Sequence, residues 1–295
     1  MLLQVDHTTI YRYARPATFK PHRLMVRPIE GHDVQIRSSR IEIQPRHSIR
    51  WLRDVFDNSV AMVDFLEPAT ELRVRSTVVV EQFNTNPFDF VLDPDGEEIP
   101  FRYRENELVD TTAFQRPQYP QDEPAVRGWF RPFLSAQGRA RTVEFFTALG
   151  RSVPLYFQYV RRDEPGVQTP GETLRKRAGS CRDFALLFME AARHLGLAAR
   201  FVSGYLCRSE DAPHYAATDS THAWAEIYLP GAGWKGFDPT CGILAADLNL
   251  RVAVAREPQQ ASPIQGAYSG AGADSLGLEV LVNARVIGPE GPGRG

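Results

Sequence analysis

Three residues of this chain, taken in order, are of the types that covalent acyl transfer needs. Gly179-Ser180-Cys181-Arg182-Asp183-Phe184-Ala185 offers a cysteine, Thr221-His222-Ala223-Trp224-Ala225-Glu226 a histidine, and Gly236-Phe237-Asp238-Pro239-Thr240 an aspartate. Cys181 would be the nucleophile, His222 the base and Asp238 the orienting acid. Attack on an amide carbon needs a thiolate, because a neutral thiol attacks poorly. An imidazole can hold the thiol proton and later deliver it to the leaving amine. A carboxylate on the other ring nitrogen fixes the tautomer and stabilises the imidazolium. Each residue alone has an ordinary alternative: a small buried hydrophobe, a structural histidine on a strand, a turn former before proline. Each gains meaning from the other two.

The elements that would hold these residues can be read locally. Ser180 is placed to cap a helix, and Asp183 stands at the capping-box spacing. Leu187, Phe188, Ala191 and Leu195 recur at helical spacing, and Gly196 stops the helix. A thiol in the first turn faces unpaired N–H groups and the positive end of the macrodipole, and both favour the thiolate. His222 to Leu229 alternates, with His222, Trp224, Glu226 and Tyr228 on one face. Pro230-Gly231 turns the chain into a second strand, Gly233 to Phe237. Such a hairpin brings His222 and Asp238 together at one end of a sheet. Glu226 lies ~7 Å along the strand from His222 and reads as structural or supporting.

Residues 1–110 read as an N-terminal β-domain. Thr8 to Tyr13 and Ile36 to Ile43 alternate, and Leu72 to Phe83 is rich in Val and Thr. Turn clusters separate these runs, which suggests an antiparallel sandwich. Residues 111–134, with Pro117, Pro120, Pro124 and Pro132, read as a surface linker. The catalytic core is expected over 135–250, with a helix from Ala136 to Leu149 and a proline-started helix after Thr169 that ends near Ala178. Strands at Phe201 to Cys207, Leu250 to Ala255 and Leu278 to Val286 follow, the C-terminal strands spanning 251–288, and 289–295 reads as a tail.

At 295 residues the chain has room for two domains, and 43% hydrophobic residues fits a globular protein. A net charge of −2 with mixed signs gives no sign of a nucleic-acid groove or an anionic membrane surface. The opening residues lack the pattern of a signal peptide, and three unpaired cysteines suit a reducing cytoplasm, so a cytoplasmic location is expected. No Cys-x-x-Cys or His-x-x-x-His pair is present, so neither a metal nor a cofactor is expected. Cys207 reads as inert, while Cys241, three residues after Asp238, could approach the cleft.

GVQTPGETL, GSCRDFALLFMEAARHLGLAARFVSGYL, THAWAEIYLPGAGWKGFDPT and RVAVAREPQQASPIQGAY resemble the bacterial transglutaminase-like proteins. The opening HTTIYRYARPATFKPHRLMVRP resembles their N-terminal β-domain. The resemblance implies an α+β protein, with a papain-like transglutaminase core preceded by the sandwich. It also implies Cys181 as nucleophile, His222 as base and Asp238 as third member. Gln158-Tyr159 precedes the cysteine in a family-like position, which makes Tyr159 a candidate second oxyanion donor beside the Cys181 N–H. Two departures are visible: Cys241-Gly242 stands where relatives carry Asn-Gly, and Ala255-Arg256-Glu257-Pro258 where they carry Gly-Arg-Asp-Tyr.

The expected function is cysteine-dependent acyl transfer at a peptide or glutamine amide, by a peptidase, an amidase or a transglutaminase. The expected partner is a protein or peptide substrate, with no nucleic acid and no membrane. An acetyl-CoA-dependent N-acetyltransferase shares the Cys-His-Asp order, but the GSCRDFA and FDPT contexts argue against it. A non-enzymatic interaction module with a residual triad is the other alternative, and an unreactive Cys181 would mark it.

Overall fold

Apolar residues alternate with polar ones along the first strand, so its two faces differ and it can join a half-buried sheet. The computed structural model describes residues 1–83, 86–162, 164–208, 221–270 and 275–288; the tail expected at 289–295 lies outside them. Six strands open the chain: β1 (Leu2–Phe19), β2 (His22–Leu24), β3 (Val34–Gln44), β4 (His47–Arg53), β5 (Ser59–Phe65) and β6 (Ala69–Gln82). A short pair, β7 (Glu98–Ile99) and β8 (Ala140–Arg141), links to the second half. The helices are α1 (Glu105–Gln115), α2 (Glu123–Phe130), α3 (Thr142–Tyr156), α4 (Pro170–Lys176) and α5 (Cys181–His194). β9 (Gln158–Tyr159) and β10 (Ala178–Gly179) pair in parallel just before α5. β11 (Ala199–Leu206), β12 (Thr221–Leu229), β13 (Gly233–Asp238), β14 (Ile243–Leu244) and β15 (Asn249–Ala255) form one sheet in the order β14-β13-β12-β11-β15.

The sandwich is made from both ends of the chain. β16 (Ile264–Gln265) pairs with β2, while β17 (Tyr268–Ser269) and β18 (Ser275–Val286) both pair with β1. Its two sheets, β17-β1-β6-β3 with β18 beside β1, and β16-β2-β5-β4, close over Tyr13, Phe19, Leu24, Ala61, Val63, Leu72 and Val74. The fold is α+β, as the resemblance implies.

Two expectations need correcting. Residues 111–134 are not a surface linker: α1 runs across residue 110, and α2 buries Val126 and Phe130 completely or nearly so in the main core. Pro120 and Pro124 sit in the first turn of their helices, where a missing N–H costs nothing. Proline there starts structure rather than breaking it. The helix expected from Ala136 begins instead at Thr142. Ser135 to Arg139 forms a tight turn, with Gly138 at φ +76° and its N–H on Ser135 O at 2.9 Å. α3 then continues past Leu149 and tolerates Pro154 inside it.

The two halves share a buried joint. Leu3, Val5, Val78, Val80 and Val282 from the sandwich pack against Tyr205, Cys207, Leu250 and Val252 from the core sheet. His7 is part of it, with Nδ1 at 2.8 Å from Tyr205 Oη and Nε2 at 2.9 Å from Thr9 Oγ1. Burial pushes its imidazole down to about 4. An unfolded histidine titrates near ~6.5, so between these values the unfolded chain holds the extra proton. Stability is then full above the unfolded value and falls as the pH drops, by roughly 3 kcal/mol at pH ~4. Urea unfolding between pH 7 and 4 checks this. His7→Gln should flatten that part of the profile, and an identical slope in the variant would contradict it.

Candidate active site

Cys181 is the first residue of α5, and what precedes it is tightly held. Asp183 Oδ2 accepts from both the backbone N and the Oγ of Ser180, each at 2.8 Å. This is the carboxylate half of the capping box, with the serine hydroxyl turned into the same carboxylate. Capping is only part of the role of Asp183. Its Oδ1 also accepts from Arg162 Nη1 and from Gln168 N, each at 2.7 Å. Burial would raise this carboxyl, but the bonds from Arg162, Ser180 and Gln168 outweigh it and hold the pKa below its ordinary value. The loop before α4 is thereby stapled to the start of α5. α4 begins as its residues dictate, with Thr169 Oγ1 accepting from Glu172 N at 3.1 Å. Gly179 completes the fit, because a Cβ there would lie 3.0 Å from Asp183 Cβ and 3.2 Å from Phe184. Tyr159 stands opposite Gly179 in the β9–β10 pair, two residues from Cys181, and packs partly buried against the core.

His222 and Asp238 come from the β12–β13 hairpin, where Ala225 faces Phe237. His222 Nε2 lies 2.6 Å from Asp238 Oδ2, and both side chains are fully buried. Asp238 is held on every side. Its Oδ2 also accepts from Asn249 Nδ2 at 3.2 Å, and its Oδ1 from the amides of Thr240 at 3.0 Å and Cys241 at 3.3 Å. Burial would lower the His222 pKa and raise that of Asp238. Their mutual attraction wins, with Asn249 supporting Asp238 and the thiols of Cys181 and Cys241 adding at the ring. The imidazole therefore stands well above its ordinary value and the carboxyl below its own. With Nε2 committed to Asp238, Nδ1 is the nitrogen left for Cys181, and it has no hydrogen-bond partner among the described residues.

Other singled-out residues fall into supporting places. Trp224 is a core residue, 6.0 Å from the His222 ring. It fits because Gly204, directly across from His222, has no Cβ: one there would meet Trp224 at 2.8 Å and Leu250 O at 2.1 Å. Glu226 is a buried anion between Arg200 and Arg251, at 2.6 and 3.1 Å. Asn249 was not legible in the sequence, since nothing local distinguishes it from any polar residue at a strand start.

Burial pushes up two of the three thiols. Cys207 is 1% exposed, and burial pushes it up to about 12. Cys241 is partly buried and also pushed up to about 12, by burial first and then by the charge of Asp238. Cys181 is expected to alkylate with iodoacetamide faster than either, which mass spectrometry of the labelled peptides would report. Equal rates would mean an unactivated thiol.

Comparison with known proteins places the chain in a family. Residues 3–81 match the bacterial transglutaminase-like N-terminal region, and residues 135–239 match the transglutaminase-like superfamily core. The chain belongs to the bacterial transglutaminase-like proteins. The core match contains Cys181, His222 and Asp238. An uncharacterized protein of Mycobacterium leprae is 28% identical over 284 residues, which covers 95% of this chain and 98% of that one. One from Mycobacterium bovis is 28% identical over 277 residues, 89% of this chain and 86% of that protein. Among solved structures, a candidate cysteine protease from Cytophaga hutchinsonii superposes with a TM-score of 0.67 at 18% identity, over 96% of this chain and 90% of that one. This transglutaminase-like chain thus has the fold of the papain-like cysteine enzymes.

Proposed function

We propose that the transglutaminase-like chain performs cysteine-dependent acyl transfer at a peptide or glutamine amide. Cys181 attacks the carbonyl carbon, its proton passes to His222 Nδ1, and the same proton goes to the departing amine. A thioester on Cys181 remains, and water or an amine then resolves it. Asp238 keeps the ring oriented and balances the imidazolium. The observation that carries the reading is the 2.6 Å contact of His222 with Asp238, which leaves the other ring nitrogen for a thiol at a helix start. The Cys181 N–H and a group from Tyr159, on the strand alongside, are the candidate oxyanion donors.

Hydrolysis is expected to be at least as efficient as transfer. β12 and β13 are joined by a tight turn at Pro230–Ala232, so the hairpin that carries the base and the acid supplies no lid over the thioester. Water then competes with any amine at far higher concentration. Incubation with a glutamine-donor peptide and excess primary amine decides the outcome. Release of ammonia with little amine incorporation is the expected result, and efficient incorporation would assign the chain to transfer instead.

A further inference from the structure

Cys241 is a thiol that the acyl-transfer reading does not use. The turn after Asp238, whose Thr240 and Cys241 amides bond to Asp238 Oδ1, folds this thiol back onto the His222–Asp238 pair. One ring nitrogen of His222, one oxygen of Asp238 and Cys241 Sγ all lie within 4.8 Å of one another. The first two side chains are fully buried. The linear spacing hid this cluster, because no two of its members form a familiar ligand pair.

Nitrogen, oxygen and thiolate sulfur together suit Zn2+ and its relatives, whereas Mg2+ and Ca2+ take oxygen donors. Zinc bonds of about 2.0 Å to N and O and about 2.3 Å to S set tetrahedral donor separations of roughly 3.3–3.7 Å. The Nε2–Oδ2 pair, now at 2.6 Å, must open by roughly 0.7 Å, and the thiol must close in by up to about 1.3 Å.

We propose that His222, Asp238 and Cys241 form an inhibitory binding site for a thiophilic divalent cation of the Zn2+ class. The cation displaces one proton from the imidazole and one from the Cys241 thiol, and both leave to solvent; no electron is transferred. The fourth position remains for water. With Nε2 on the cation, the imidazole keeps its one remaining proton on Nδ1 and cannot take that of Cys181, and Asp238 is drawn onto the cation as well, so binding silences the triad. The silencing rests on the acyl-transfer reading, but the binding does not.

Two readouts separate the claims. Co2+ titrated into Cys181→Ala protein should give a near-ultraviolet thiolate-to-cobalt band at one equivalent. Zn2+ should displace it, and the Cys181→Ala/Cys241→Ser double variant should lack it. In turnover assays Zn2+ should inhibit the wild-type protein reversibly to a chelator. Cys241→Ser and Cys241→Ala should still turn over, but need at least about tenfold more Zn2+ for half-inhibition. No band with Cys181→Ala, a band that survives in the double variant, or zinc inhibition equal in wild type and Cys241→Ser would overturn the site. A cobalt band in a protein with no acyl-transfer activity would sustain the metal site and sink the catalytic reading instead.

Discussion

Cys181→Ala is expected to show no turnover above the uncatalysed rate, His222→Ala almost none, and Asp238→Asn a small measurable residue. On the proposed mechanism the first loses the atom that becomes bonded to the acyl group, and the second the group that holds its proton. The third follows from the bonds around Asp238. Its Oδ1 receives the Thr240 and Cys241 amides, so an asparagine would keep its carbonyl oxygen there. The new NH2 would then face His222 Nε2, where a carboxylate oxygen stood, and also the Asn249 Nδ2 donor. A donor facing Nε2 drives the ring proton to Nδ1, the nitrogen that must accept from Cys181. That wrong tautomer costs on the order of 10⁴ in rate in a Ser-His-Asp enzyme with the same logic. Steady-state turnover on a common peptide amide, with circular dichroism to establish folding, measures all three. An active Cys181→Ala protein would remove the nucleophile assignment, and a fully active Asp238→Asn protein would remove the tautomer argument.

What could be read in the sequence was local. The start of α5 was legible because Ser180, Cys181 and Asp183 lie within one turn, and the β12–β13 hairpin because its alternation and its Pro230-Gly231 turn adjoin. What could not be read depends on residues that meet only in the fold. Asn249 reaches Asp238 from a different strand, and Arg162 reaches Asp183 from a loop. The pairing of β18 with β1 joins the two ends of the chain, so the sandwich is not a continuous segment. The prolines of 111–134 were legible as residues, but their meaning was not. A proline ends one element and starts the next equally well, and only the burial of Val126 and Phe130 decides between linker and helix. Cys241 shows the same limit at the site, since three residues of separation say nothing about the direction in which a turn sends a thiol.

The largest effect on stability is expected from Arg193→Ala, at the far end of the helix that begins with Cys181. The Arg193 and Glu190 side chains are both fully buried, with Nη1 and Oε1 2.9 Å apart. Burial lowers the pKa of the guanidinium, and the Glu190 charge opposes this without fully cancelling it. A pair of this kind contributes little net stability on its own, but removal of one partner strands the other and costs about 3–5 kcal/mol. Here the pair also serves the backbone. Arg193 donates to the carbonyls of Phe114 at 3.1 Å, Ala199 at 2.9 Å and Arg256 at 2.7 Å. Glu190 Oε2 accepts from the amides of Gln118 and Tyr119, both at 3.0 Å. These contacts pin the proline-rich segment and the end of β15 to α5. A double Glu190→Met/Arg193→Met variant, which would often relieve an isolated buried pair, should therefore stay strongly destabilised, because the backbone groups remain unpaired. Urea unfolding of the single and double variants compares the two outcomes. Recovery of near wild-type stability in the double variant would mean that the pair holds only itself.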